Sequence, residues 1–251
     1  MAKEDHQKRP FGGELLSKFI RIVIRFLVAI LIWPIYLPRV EGCREEPSEG
    51  GCLLFANHHS FFDPIFITFY FRSRRLCFIA KKELYNARII GRILKAFGAI
   101  SLDRSASDLQ AGKFILSELN NKKIVGLFPQ GTRVSLDDLT SPEPHDGLIY
   151  YAIRRGIPII PVGVDPRYRL FGRPRFVFAD SVILKLRDGE RLNPTEQGMV
   201  ANEVMRRIYA LVGLEYARKD RAEIEELFRQ KIEVVPLTSH ANNQKKKRNT
   251  P

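Results

Sequence analysis

From residue 53 onward, short apolar runs alternate with stretches of helical periodicity, and this alternation most limits the folds open to the chain. The candidate strands are 53–56, 76–80, 99–102, 124–128, 159–164 and 176–178. The candidate helices are 64–71, 87–96, 107–120 and 147–155. Such a pattern predicts an α/β fold: a mixed, mostly parallel sheet flanked by helices. Residues 195–230 read as one further helix, capped by Thr195 with Glu196 in its first turn. Residues 41–51, with Gly, Pro, Ser and Glu, read as a loop.

The segment before the first strand obeys a different rule. Lys18, Arg21 and Arg25 fall on one narrow helical stripe, while Leu15, Leu16, Phe19, Ile20, Val23, Ile24 and Leu27 cover the rest. Residues 26–38 carry no charge, but the run is shorter than the ~20 residues a helix needs to cross a bilayer, and Pro34 and Pro38 interrupt it. Trp33 and Tyr36 are residue types that favour the membrane interface. A helical segment dipped into one leaflet fits these features best. A spanning helix with snorkelling arginines, or a core helix of a soluble domain, also fits the run.

A net charge of +13 favours an anionic partner such as a lipid surface, a phosphorylated substrate or nucleic acid; a solvated basic surface is the plainer alternative. No motif for reading nucleic acid accompanies it. The three cysteines, Cys43, Cys52 and Cys77, are odd in number and widely spaced, which suits a reducing compartment rather than a disulfide framework. The five histidines are dispersed and form no metal-ligand pattern, so neither metal nor cofactor is expected.

Four clusters can carry chemistry. His58 follows an apolar strand, and Asp63 stands just before Pro64, where a helix is expected to start. A short turn between them can fold the carboxylate back onto the imidazole, giving a general base with a fixed tautomer. The spacing alone serves equally for a helix-capping Asp and a histidine in a polar pocket. Phe128-Pro129-Gln130-Gly131-Thr132-Arg133 follows a second strand, and its glycine, threonine and arginine suit an anion; a tight turn with a surface arginine fits as well. Gly98 to Arg104 sets a further cation at a strand end. Ile157 to Val162, framed by Pro158 and Pro161, reads as an edge strand or strand start that can line a groove for an apolar chain, or as a plain core strand.

In order and spacing, these clusters resemble the four motifs of the glycerolipid acyltransferases typified by 1-acyl-sn-glycerol-3-phosphate acyltransferases. Asn-His-x-Ser-x-x-Asp stands as Asn57-His58-His59-Ser60-Phe61-Phe62-Asp63. Gly98 and Arg104 match the second motif, Phe128 to Arg133 the third, and Ile157 to Val162 the fourth. Lys81-Lys82-Glu83-Leu84 also resembles a family segment, and the likeness covers about residues 53–165.

The resemblance implies an acyltransferase domain over 41–235, between a membrane-associated segment at 1–40 and a basic disordered tail at 236–251. It implies His58 as base, Asp63 as its orienting partner, and Arg104, Gln130, Gly131, Thr132, Arg133 and Pro161 as substrate-binding residues. The implied partners are membrane lipids, lysophosphatidic acid and acyl-CoA or acyl carrier protein, at the cytoplasmic face of a membrane such as a bacterial inner membrane. Another lysophospholipid or glycolipid acceptor, or a non-catalytic lipid-binding role, stays open. Two departures stand out: Gln130 replaces the family's usual Glu, and Pro144-His145-Asp146 stands where many relatives carry Phe and Lys.

Overall fold

The computed structural model describes Val23 and residues 33–47, 50–71, 73, 75–81, 85–86, 91, 94, 99–102, 108–168 and 172–237. The expected membrane segment, most of the expected helix over 87–96, Gly98, Arg104 and the basic tail lie outside the described residues, apart from the few positions just named.

A helical turn, α1 (Trp33–Tyr36), leads into strand β1 (Arg39–Gly42). There follow β2 (Cys52–Ala56), helix α2 (Asp63–Phe71), β3 (Leu76–Lys81), β4 (Ile100–Leu102), α3 (Asp108–Asn120) and β5 (Ile124–Leu127). The second half holds α4 (Asp146–Arg155), β6 (Ile159–Asp165), β7 (Arg175–Phe178), β8 (Val182–Leu186), α5 (Pro194–Ala210), α6 (Arg221–Lys231) and β9 (Ile232–Pro236). Among the described residues the strands form one sheet in the order β1-β7-β6-β2-β5-β3-β4, with β8 pairing β6 and β9. The pairs β1–β7, β6–β2, β2–β5, β5–β3 and β3–β4 are parallel; β6–β7, β6–β8 and β8–β9 are antiparallel. The sheet is thus mixed and mostly parallel, as the alternation predicts.

The central strands are buried on both faces, which explains why they read as continuous apolar runs. Along β2 the two-residue period splits the side chains between two cores. Leu53 and Phe55 join Cys77, Val125 and Ile159 under α3, α4 and α5, where Ile115, Ile153, Met205 and Tyr209 cover them. Cys52, Leu54 and Ala56 join Ile124, Ile160 and Val162 on the other face, covered by Phe66, Ile67 and Phe71 of α2. Each fully buried Leu, Ile or Phe contributes ~1.5–3 kcal/mol.

This split fixes where a site can form. The neighbours β2 and β5 send their chains in opposite directions, β2 through α2 toward β3 and β5 through α4 toward β6. Right-handed crossovers leaving in opposite directions must lie on opposite faces of the sheet. The connections therefore leave on opposite faces at the carboxyl ends of β2 and β5, the usual ligand position in such sheets.

Three expectations need correction. Residues 195–230 form two helices, not one: the chain breaks at 211–220, where Gly213 adopts φ +75° and Leu214 N–H returns to Tyr209 O. The cap is Asn193, whose side chain accepts from Glu196 N–H while the Glu196 carboxylate accepts from Asn193 N–H. The 41–51 stretch begins inside β1, which pairs in parallel with β7. Of the readings open for the run around Pro161, the core strand holds, since β6 lies in the middle of the sheet. The missing N–H of Pro161 is tolerated because the antiparallel neighbour of β6 changes there, from β8 at Ile159 to β7 from Val162 on. Ala179 N–H, from the β7–β8 connection, bonds to Pro161 O at 2.9 Å.

Candidate active site

The β2 loop is anchored before it turns. Asn57, buried at the strand's end, donates through Nδ2 to Val164 O and accepts Val164 N–H at Oδ1, both at 2.7 Å. This clamps the end of β2 to β6. The next five residues make a tight turn, closed by Asp63 N–H to Ser60 O at 3.0 Å, and α2 starts.

Asp63 is fully buried. Its carboxylate points back into the turn rather than along the helix it opens. Oδ2 accepts the backbone N–H groups of His59 and Ser60, each at 2.7 Å, and the His58 Nδ1–H at 2.8 Å. Oδ1 accepts the Tyr168 hydroxyl. Three donors therefore converge on Oδ2 and one holds Oδ1, so both carboxylate oxygens are engaged. This side chain is fixed, and because a carboxylate only accepts, it also fixes the His58 proton on Nδ1. In the neutral ring the lone pair then lies on Nε2, the nitrogen that Asp63 does not engage. The His58 ring, 17% exposed, stacks on Phe128 with centroids 3.9 Å apart and planes 16° apart. Phe128 in turn stacks on Phe78 at 5.4 Å. Gly126 makes room for that stack, since a Cβ there would lie 2.7 Å from the Phe78 ring.

The loop after β5 is joined directly to this turn. Val134 N–H donates to His58 O, and His59 Nδ1–H donates to Val134 O, each at 2.8 Å. Burial holds His59 below the usual imidazole range. Gly131, with φ +70°, makes the tight bend; its N–H bonds to Phe128 O at 2.8 Å. The His145 ring lies against it, and a Cβ on Gly131 would come within 3.0 Å of His145 Nε2. Thr132 and Arg133 are exposed, two positions and one position before the residue that bonds to His58.

Gln130 faces the other way. Only 3% exposed, it donates through Nε2 to Leu139 O at 2.9 Å and Pro142 O at 3.0 Å, and its Oε1 accepts the Tyr209 hydroxyl at 2.7 Å. All its polar capacity toward these groups is spent inside the protein, where it ties the loop to α5. Pro161 is partly exposed and level with Phe55, while Ile159, Ile160 and Val162 around it belong to the two cores. Arg104 falls outside the described residues.

Two side chains at the site escaped the sequence reading. Tyr168 and Tyr209 reach their partners across 105 and 79 residues. The aromatic residue three places past the end of β6 is the one signal that points to Tyr168, and α5 periodicity marks Tyr209 only as core.

The chain is similar to known proteins. A family model described as Acyltransferase matches residues 38–165. A 1-acyl-sn-glycerol-3-phosphate acyltransferase of Streptococcus pneumoniae is 27% identical over 140 residues, 55% of this chain and 52% of the relative. One of Bacillus subtilis is 32% identical over 99 residues, 39% of this chain and 50% of the relative. The chain thus spans about half the length of these curated relatives. The crystal structure of the 1-acyl-sn-glycerophosphate acyltransferase PlsC from Thermotoga maritima matches with a TM-score of 0.56 at 20% identity, covering 84% of this chain and 86% of that one, a likeness of fold.

Proposed function

The chain belongs to the acyltransferase family, and from that premise we propose that it moves a fatty acyl group from acyl-CoA or acyl carrier protein to the sn-2 hydroxyl of lysophosphatidic acid, forming phosphatidic acid. The observation that carries the reading is the His58–Asp63 pair, held at 2.8 Å just past the carboxyl end of β2 and bonded through Val134 to the loop bearing Thr132 and Arg133.

In this mechanism His58 Nε2 removes the proton of the acceptor hydroxyl. The oxygen attacks the thioester carbonyl, the C–S bond breaks, and the leaving thiolate takes the proton back from the imidazolium. Asp63 keeps the ring oriented and offsets its transient charge. No acyl-enzyme forms. Arg133 and Thr132, with Arg104 and the backbone at Gly131, hold the acceptor phosphate, for which the planar guanidinium is suited. Orienting two substrates at one site contributes up to ~7–11 kcal/mol of rate acceleration. Gln130 supports the phosphate loop from behind, and Pro161 borders the acyl chain.

The reading sets the protein at the cytoplasmic face of a membrane. Ile35 and Phe61 are exposed hydrophobics on adjoining segments, linked where Tyr36 packs on Phe62 at 5.8 Å. No helix among the described residues is long and apolar enough to cross a membrane, and the segment 1–40 supplies the anchor in this proposal.

Purified protein on lipid vesicles, offered a panel of lysolipids with acyl-CoA or acyl carrier protein thioesters, tests the assignment. Phosphatidic acid should dominate, and Arg133→Ala should raise the KM for lysophosphatidic acid by roughly 10- to 100-fold, the worth of a charged hydrogen bond. A preference for a lysolipid without a terminal phosphate, or an unchanged KM, contradicts it.

A further inference from the structure

Tyr168 is not part of any motif discussed above, yet its hydroxyl occupies the one Asp63 oxygen that His58, His59 and Ser60 leave open. It arrives from the segment following β6, where Tyr168 N–H closes a tight turn onto Pro166 O at 2.7 Å. Its ring is wedged among aromatic side chains. It stacks on Phe66 of α2 at 6.2 Å and 20°, meets Phe62 at 6.4 Å, and takes Tyr36 edge-on at 5.9 Å. The hydroxyl is therefore aimed by packing on three sides.

Resting on the acyl-transfer reading, we infer that Tyr168 is a positioning residue for the reaction, which locks the Asp63 carboxylate and through it the orientation and hydrogen bond of the His58 ring. Asp63 has two oxygens and one task. If Oδ1 lacked a partner in a fully buried setting, the carboxylate would rotate to find one, and the 2.8 Å bond to Nδ1 would be disturbed. The Tyr168 donor removes that incentive. Burial, and then the Asp63 charge, push the phenol far above its ordinary range, so the hydroxyl keeps its proton at any working pH and remains a donor. The same ring touches Tyr36, which ends α1, so the element that leads in from the N-terminal segment packs against the residue that steadies the acid of the pair.

Tyr168→Phe keeps the wedge and removes only the donor. The expected result is a kcat lowered by roughly 10- to 100-fold, as for a hydrogen bond to a charged group, with the KM of both substrates within twofold. The downfield proton resonance of His58 Nδ1–H should also shift or broaden. Tyr36→Phe, which alters the same aromatic cluster without touching Asp63, should retain kcat and leave that resonance in place. An unchanged kcat and resonance in Tyr168→Phe overturns the inference, as does an equal loss in Tyr36→Phe, which would assign the effect to packing. If wild-type protein transfers no acyl group, the acyl-transfer reading fails, and the resonance still decides whether Tyr168 holds Asp63.

Discussion

Replacing Gln130 by Glu restores the residue usual in the family, and the structure predicts that it will harm this protein. The Gln130 amide gives two N–H groups to Leu139 O and Pro142 O and takes the Tyr209 hydroxyl on its oxygen. A carboxylate keeps the Tyr209 bond and turns its other oxygen onto two carbonyls, at a position only 3% exposed. Two hydrogen bonds worth ~0.5–1.5 kcal/mol each are lost, and the carbonyls of the buried Leu139 and of Pro142 lose a partner. The expected cost at pH 8 is about 2–4 kcal/mol. The side chain can lessen this by taking a proton and donating to one carbonyl. Its folded pKa is therefore raised above the unfolded value of about 4.3. With that sign, the deficit relative to wild type is smallest below pH ~4.3 and widens as pH rises, by at most ~1.4 kcal/mol per unit, until the folded pKa is passed. Urea denaturation of both proteins at pH 5 and pH 8 measures it. A variant as stable as wild type at pH 8, or a deficit independent of pH, refutes the account of Gln130 as an inward-facing tie.

Gly126→Ala should lower stability by ~1–3 kcal/mol, because its Cβ meets the Phe78 ring at 2.7 Å and the core must give way. Since Phe78 supports Phe128 and Phe128 supports His58, kcat should also fall at temperatures where the variant is fully folded; an unchanged denaturation midpoint refutes the crowding. Burial pushes the Cys52 thiol up to about 12 and that of Cys77 up to about 11, while Cys43 is partly exposed. A thiol reagent at pH 8 should therefore label Cys43 promptly and the other two only on unfolding; equal rates at all three would contradict the burial.

How much of this was legible in the sequence depended on how local the cause was. Strands β2, β3, β5 and β6 announce themselves because both faces are largely buried and their residues are apolar up to the terminal Lys81 of β3 and Asp165 of β6. Strand β1, Arg39-Val40-Glu41-Gly42, is an exposed edge with no such run, and β8 mixes Lys185 into a half-buried face, so neither stood out. The single long helix expected over 195–230 failed at Gly213, whose left-handed turn outweighs the helical periodicity on either side. At the site, His58 and Asp63 are five residues apart, and their meeting follows from one turn. The direction of the Asp63 carboxylate does not follow from that turn alone. It is completed by Tyr168 on the second oxygen, just as the inward direction of Gln130 is set by Tyr209 and by carbonyls of the loop beyond it. Sequence spacing identified Gln130 as a member of the third motif, while its partners in space assign it a supporting task.

The most direct test of the central claim is the rate of acyl transfer by His58→Ala beside wild type, with vesicles carrying lysophosphatidic acid and an acyl thioester, following both thiol release and lipid product. Loss of the general base should lower kcat by roughly 10²- to 10⁴-fold while leaving the folded structure and membrane binding intact. A His58→Ala protein that forms phosphatidic acid at the wild-type rate would contradict the account.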